Sequence, residues 1–239
     1  MSIALPYSQL AAHYDEFVGL AQFRQVRRIF DHCVRAHGLR FSRAADFGCG
    51  TGLLAQYLAS HWRALVYAID RSPQMLDIAR RRCKGLRCRF LMSDFRDLSL
   101  PQPVDLITMF SSTLNLVESA RVLAHVVDSV WRNLEPGGYW ILDFLTPRLS
   151  AAFPPQSERS LNLKAGNFCL RICIGRPAQG GRHEELHCAR LLAPLELRDQ
   201  LDRRGFVLVD ALAPAPLGPP QHASPSLVFV VRKPVRQAC

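Results

Sequence analysis

The chain has 239 residues, 49% of them hydrophobic, and carries a formal net charge of +10; that length supports one large domain burying roughly 70–75% of its unfolded surface. No apolar run reaches the ~18–20 residues of a membrane span, and the start, Met1-Ser2-Ile3-Ala4-Leu5-Pro6, lacks the basic and apolar regions of a signal peptide. The expectation is therefore a globular, cytoplasmic protein with no membrane partner.

Residues 6–37 have apolar side chains at a rough helical period, including Val26, Ile29, Phe30, Cys33 and Val34, and end at His37-Gly38. Ala44–Phe47 reads as a first strand. It meets Asp46-Phe47-Gly48-Cys49-Gly50-Thr51-Gly52 and then a helix to about Ser60. Ala64–Ile69 is a continuous apolar run ending in Asp70, as expected of a parallel strand buried on both faces. Ser72 then caps a helix with Pro73 in its first turn.

Arg89–Met92 is a third strand, running into Ser93-Asp94-Phe95, and Val104–Phe110 is a fourth. An amphipathic helix over 119–134 is broken by Glu135-Pro136-Gly137-Gly138, and Tyr139–Leu145 is a fifth strand. This alternation predicts a doubly wound α/β sheet. Residues 148–190 read as a small antiparallel β insertion, with strands at Phe168–Ile174 and Leu186–Leu191. A helix Leu195–Arg204, stopped by Gly205, precedes a closing strand pair, Phe206–Leu212 and Leu227–Arg232. The Pro-rich 213–226 between them is expected to be an exposed loop. The whole chain, 1–239, reads as one domain: a helical lid over 1–40, a ligand-binding core over 41–147, an insertion over 148–192 and closing elements over 193–239.

Two compositional features need a reading. The eight cysteines include no C-x-x-C pair, which favours reduced thiols and argues against a metal site. Arg80-Arg81-Arg82, Lys84, Arg87 and Arg89 form a basic cluster. No aromatic residues interleave it for base stacking. It reads as a solvated helix end whose cations complement the dipole, with a nucleic-acid surface as the alternative.

The chemistry gathers at the strand ends, where doubly wound sheets bind ligands. Gly48-x-Gly50-x-Gly52 is not the G-x-G-x-x-G of a dinucleotide site, and no Lys-Ser/Thr follows it as in a P-loop. Asp46 would repel a pyrophosphate and suits a cationic ligand such as one with an amino group and a sulfonium. Asp70 suits a ribose. Asp94 offers an acceptor for an exocyclic amine, with Phe95 as an aromatic face beside it.

Taken in order, Asp46–Gly52, Ala68–Leu76, Ser93–Phe95 and Leu134–Gly138 resemble the successive motifs of class I S-adenosylmethionine-dependent methyltransferases, over about residues 7–212. The resemblance implies a Rossmann-like, seven-stranded sheet with an antiparallel last strand. It implies S-adenosylmethionine as cofactor and S-adenosylhomocysteine as product. It assigns the methionine part to the loop Asp46, Phe47, Gly48, Gly50 and Gly52, the ribose to Asp70, and the adenine to Asp94 and Phe95. Arg71, Met75 and Phe110 fall at the same strand ends.

Tyr14-Asp15, Met109–Leu116 and His187…Leu195-Glu196-Leu197 further resemble small-molecule enzymes, including aminosugar N-methyltransferases of natural-product pathways. In that group an N-terminal tyrosine, here Tyr14, closes over the cofactor. Some members carry a histidine proposed as base where this chain has Asn115. Tyr14, Asn115 and His187 are thus the candidate catalytic residues, with His13 and His183 as further candidate bases. Arg28 or Arg24 is a candidate to hold the cofactor carboxylate bidentately, with an exposed helix face as the alternative reading of each. The expected activity is methyl transfer to a small-molecule acceptor at N, O or C. The alternatives are an RNA or protein methyltransferase, or a non-catalytic partner that keeps the fold.

Overall fold

β1 (Arg43–Phe47) lies inside an eight-stranded sheet, with β2 (Leu65–Asp70) and β3 (Cys88–Met92) on one side and β4 (Val104–Met109) and β5 (Leu134–Leu145) on the other. The structure, a computed structural model, describes residues 10–149, 167–174, 183–221 and 223–235. The strand order is β3-β2-β1-β4-β5-β10-β8-β9. The first five strands are parallel, and β10 (Ser226–Arg232) inserts antiparallel between β5 and β8 (Val207–Pro214).

The sequence implied seven strands. The eighth is the two-residue β9 (Leu217–Gly218), which turns back on the end of β8 within the segment expected to be a loop. β5 also starts earlier than its apolar run. Leu134 pairs with Val104, and the register then shifts across Pro136-Gly137-Gly138. The helix-breaking residues therefore act as an irregularity inside the strand.

Helices cover both faces. α1 (Leu20–Ala36), α2 (Leu53–Ser60) and α3 (Pro73–Arg82) enclose one core with Val66, Ala68 and Leu106. α4 (Ala120–Asn133) and α5 (Pro194–Arg204) enclose the other with Trp140, Phe144 and Phe206. The expected caps are present: Ser72 Oγ accepts from Met75 N at 3.3 Å, and Gly205 ends α5 with φ 95°. In the insertion, β6 (Asn167–Ile174) and β7 (His183–Arg190) form a separate antiparallel pair.

The basic cluster is partly consumed internally. Arg80 pairs with Asp77 at 2.8 Å and lies over Phe90, Arg89 lies over Tyr67, and Arg82 turns inward. Cys33, Cys49, Cys83 and Cys88 are free thiols. Among the described residues no helix is long and apolar enough to cross a membrane, and no His, Cys, Asp and Glu group is arranged to hold a metal ion.

Candidate active site

The β1–β4 boundary is where the strand order reverses, and a chamber opens there at the carboxyl ends of the parallel strands. Counting its open mouth it encloses about 1220 Å³, room for a ligand of nucleoside size with a further side chain.

The glycine loop hangs from the end of β2. Gly48 N and Cys49 N both donate to Ile69 O, at 2.8 and 2.9 Å. Gly50 N donates to Asp70 Oδ2 at 2.9 Å, and Ser72 N donates to Asp70 Oδ1 at 2.8 Å. One carboxylate thus ties the loop to the start of α3. Its oxygens each retain acceptor capacity toward the chamber.

Two positions there require glycine. At Gly48, φ is 77° and a Cβ would lie 2.5 Å from Thr113 Cγ2, so the turn after β4 packs directly on the loop. At Gly52, φ is 83° and a Cβ would lie 2.8 Å from Ala79 Cβ. That glycine serves the packing of α2 on α3.

The chamber acids differ in state. Asp46 is 3% exposed and accepts from Thr108 Oγ1 at 2.8 Å. Burial pushes its carboxyl up to about 7, against the Thr108 hydrogen bond and with the help of nearby Asp70. Burial also raises Asp70, opposed by its two backbone donors. Asp94 goes the other way. Burial raises it, but Arg96 outweighs that and holds it below the usual carboxylate range. Arg96 Nε lies 2.8 and 2.9 Å from the two Asp94 oxygens, and Arg96 N donates to Oδ1 at 2.9 Å. Phe95 lines the chamber and stacks on buried Phe47, with centroids 6.3 Å apart.

The N-terminal segment closes one side. Tyr14 lines the chamber, with its hydroxyl 3.5 Å from Gln22 Oε1. Its ring lies against Gly19, where a Cβ would fall 3.1 Å from Tyr14 Cδ1 and 2.7 Å from Asp15 Oδ1. Asp15 is clasped to the glycine loop. Its Oδ1 accepts from Thr51 Oγ1 at 2.6 Å, and its Oδ2 pairs with Arg82, which also donates to Thr51 O at 2.5 Å. A π-helical turn, Asp15–Gly19, carries this clasp, a distortion that recurs at functional sites.

A glycine loop, an acid closing β2 and an acid-aromatic pair after β3 are what a methyltransferase domain would require, and a family model described as "Methyltransferase domain" matches residues 44–138. A cypemycin N-terminal methyltransferase from Streptomyces is 32% identical over 102 residues, covering 43% of this chain and 41% of that protein; the chain thus matches less than half of that relative's length. A dTDP-3-amino-3,6-dideoxy-alpha-D-glucopyranose N,N-dimethyltransferase from Streptomyces fradiae is 33% identical over 188 residues, covering 71% of this chain and 70% of that protein. The chain belongs to the class I S-adenosylmethionine-dependent methyltransferases. The fold agrees: an S-adenosylmethionine-dependent methyltransferase from Clostridium acetobutylicum superposes with a TM-score of 0.81 at 20% identity, over 95% of this chain and 99% of that one.

In this member of the family the chamber wall gathers Tyr14, Asp46, Gly48, Gly50, Asp70, Arg71, Met75, Asp94, Phe95 and Phe110. Phe47 and Gly52 are not on it; they support the wall from behind, as core and as helix packing. Arg28, and Arg24 beside it, lie exposed on α1 and do not line the chamber.

Asn115 also stands off the chamber wall. It is fully buried, and its amide is spent on backbone. Nδ2 donates to Leu145 O at 3.0 Å and Arg190 O at 2.6 Å, while Oδ1 accepts from Leu145 N at 2.8 Å. It fastens the turn after β4 to β5 and β7. His183 and His187 lie on β7, where His187 pairs with Leu170; their side chains fall outside the described residues. His13 is exposed and does not line the chamber.

Sequence reasoning missed Gln22, Phe23, Val26 and Val117 on the wall; the first three read only as part of a helix. It also missed Arg96 and the partners of Asp15. The signals available were an arginine two residues after Asp94 and an acid beside Tyr14.

Proposed function

We propose that the chamber binds S-adenosylmethionine and that the protein passes the cofactor's methyl group to a small-molecule acceptor. The observation that carries this is the arrangement of Asp46, Asp70 and Asp94 along one chamber, with the glycine loop hydrogen-bonded to the middle acid. S-Adenosylmethionine supplies a methyl on a sulfonium, open to in-line displacement by an acceptor lone pair, with the carbon–sulfur electrons returning to sulfur.

The chain's own residues bind and orient. Asp70 fits the ribose hydroxyls with the acceptor capacity its backbone donors leave free. Asp94, fixed by Arg96, presents a rigid acceptor edge to the adenine amine, with Phe95 against the ring. Asp46 sits where the amino group of the methionine part would lie. Tyr14, seated by Gly19 and the Asp15 clasp, covers that end and excludes water. Holding the reactants in line contributes roughly 7–11 kcal/mol to lowering the barrier.

No His or Lys lies among the described wall residues, so the acceptor is best supplied as a neutral amine or another nucleophile that needs no base. The aminosugar and peptide N-terminal methyltransferases among the relatives support a small amine acceptor. Calorimetry with S-adenosylhomocysteine tests the cofactor reading. Binding at micromolar or better is expected, and Asp70→Ala should weaken it by about tenfold or more. An unliganded parent protein at millimolar ligand overturns the proposal.

A further inference from the structure

The turn after β4 holds an uncommon backbone state. Ser111 has φ 62° and Ser112 has φ 58°, so two consecutive side-chain-bearing residues sit in the left-handed region. There Cβ crowds the following carbonyl, and such residues persist only when the surroundings over-determine them. The turn is closed by Thr113 N and Thr113 Oγ1 donating to Phe110 O, at 3.3 and 2.7 Å, and by Asn115 N donating to Ser112 O at 3.0 Å; the amides of the two serines themselves both go to one side chain. Ser112 N donates to Asp143 Oδ1 at 2.6 Å, and Ser111 N donates to Asp143 Oδ2 at 3.1 Å.

Asp143 projects from β5 and does not line the chamber. Among the described residues no cation pairs with it. Ser111, Ser112 and Thr113 all line the chamber. The fit is tight, because Thr113 Cγ2 occupies the space a Cβ on Gly48 would need. A relaxed turn would therefore either press on the glycine loop or withdraw from the ligand.

We infer that Asp143 is a positioning residue for methyl transfer: its carboxylate holds the Ser111–Ser112 turn left-handed and thereby sets the chamber wall beside the glycine loop. This rests on the cofactor reading above. An ordinary core acid would serve stability alone, and a buried charge would act on a cationic ligand by its field. Neither role depends on whether residues 111 and 112 tolerate positive φ.

Glycine tolerates it without a Cβ penalty, and that supplies the test. Asp143→Ala, Ser111→Gly/Ser112→Gly and the triple variant are compared with the parent by S-adenosylhomocysteine calorimetry well below each melting temperature. Amide exchange of residues 111–113 is followed alongside. Asp143→Ala should weaken binding by about tenfold or more, since small misplacements of site groups are costly, and should expose the two amides. The glycine pair supplies its own reference affinity, and Asp143→Ala made in that background should weaken binding by no more than about threefold, because glycine holds positive φ unaided.

Parent-like affinity in folded Asp143→Ala overturns the inference, as does an equally large loss when Asp143→Ala is made in the glycine pair. If the parent binds no ligand, the cofactor reading fails first. Exchange then decides the turn: protection unchanged in Asp143→Ala overturns it, and protection lost there but kept in the glycine pair supports it.

Discussion

Cofactor binding to this chamber should release a proton, and Asp46 should be its source. The buried carboxyl is pushed up to about 7, against 3.8 for an exposed one, so the folded apo-protein holds this proton more tightly than the unfolded chain. The sign of the linkage follows. Asp46 costs no stability below about pH 4, and stability is lost as pH rises through 7. The loss approaches about 4 kcal/mol once the group is ionised, taking three units at 1.36 kcal/mol each. A bound ammonium or sulfonium beside the carboxylate reverses this preference, lowering its pKa in the complex.

At pH 7 about half of the apo molecules carry the proton, so binding should release up to about half a proton. The apparent affinity should be about tenfold weaker at pH 6 than at pH 8. Titrating S-adenosylhomocysteine in phosphate and in Tris, whose ionisation heats differ, counts the protons directly. Asp46→Asn keeps an acceptor for Thr108 Oγ1 and removes the titration. It should flatten both the proton count and the rise in affinity with pH. Asp70 is shifted in the same direction, so the variant is what assigns the effect. Equal heats in the two buffers at pH 7, or an unchanged count in Asp46→Asn, would refute the reasoning.

The remaining expectations separate binding from support. Asn115→Ala takes the amide away from Leu145 N and Arg190 O, while Leu145 O keeps Leu192 N at 3.0 Å. It should cost about 3 kcal/mol, a melting temperature lower by roughly 6–12 °C; lost transfer with unchanged melting would instead favour the base position implied by resemblance. Gly52→Ala meets Ala79 at positive φ and should destabilise by about 2–3 kcal/mol, while leaving ligand affinity near the parent's at low temperature; a large affinity loss there would place Gly52 on the site. Asp15→Asn keeps an acceptor for Thr51 but removes the charge facing Arg82. It should speed S-adenosylhomocysteine dissociation by about fivefold with little change in melting, since the pair is partly solvent-exposed; an unaltered stopped-flow off-rate would show that the clasp does not hold the lid.

What the sequence exposed and what it hid follow one physical division. Features set by local backbone chemistry were legible: Ser72 before Pro73, Gly205 after α5, and the apolar run ending in Asp70. The glycine spacing likewise announced a loop, because positive φ restricts the residue type. The hidden features share a different cause. Asn115 was a candidate through the resemblance, and the hydrogen bonds it makes reach two carbonyls 30 and 75 residues away. Asp143 gave no signal at all, being one acid within an apolar strand. Its meaning comes from the backbone angles of Ser111 and Ser112, residue types that predict no such conformation. Arg82 read as part of a surface cluster, and only the fold brings it to Asp15, 67 residues away. The division also explains why the donor was easier to infer than the acceptor. The proposed donor site is built from strand ends and the turns that follow them in sequence. The wall of Tyr14, Gln22, Phe23, Leu116 and Val117 is assembled from segments about a hundred residues apart. A wall assembled in that way leaves no contiguous motif to be read from the sequence.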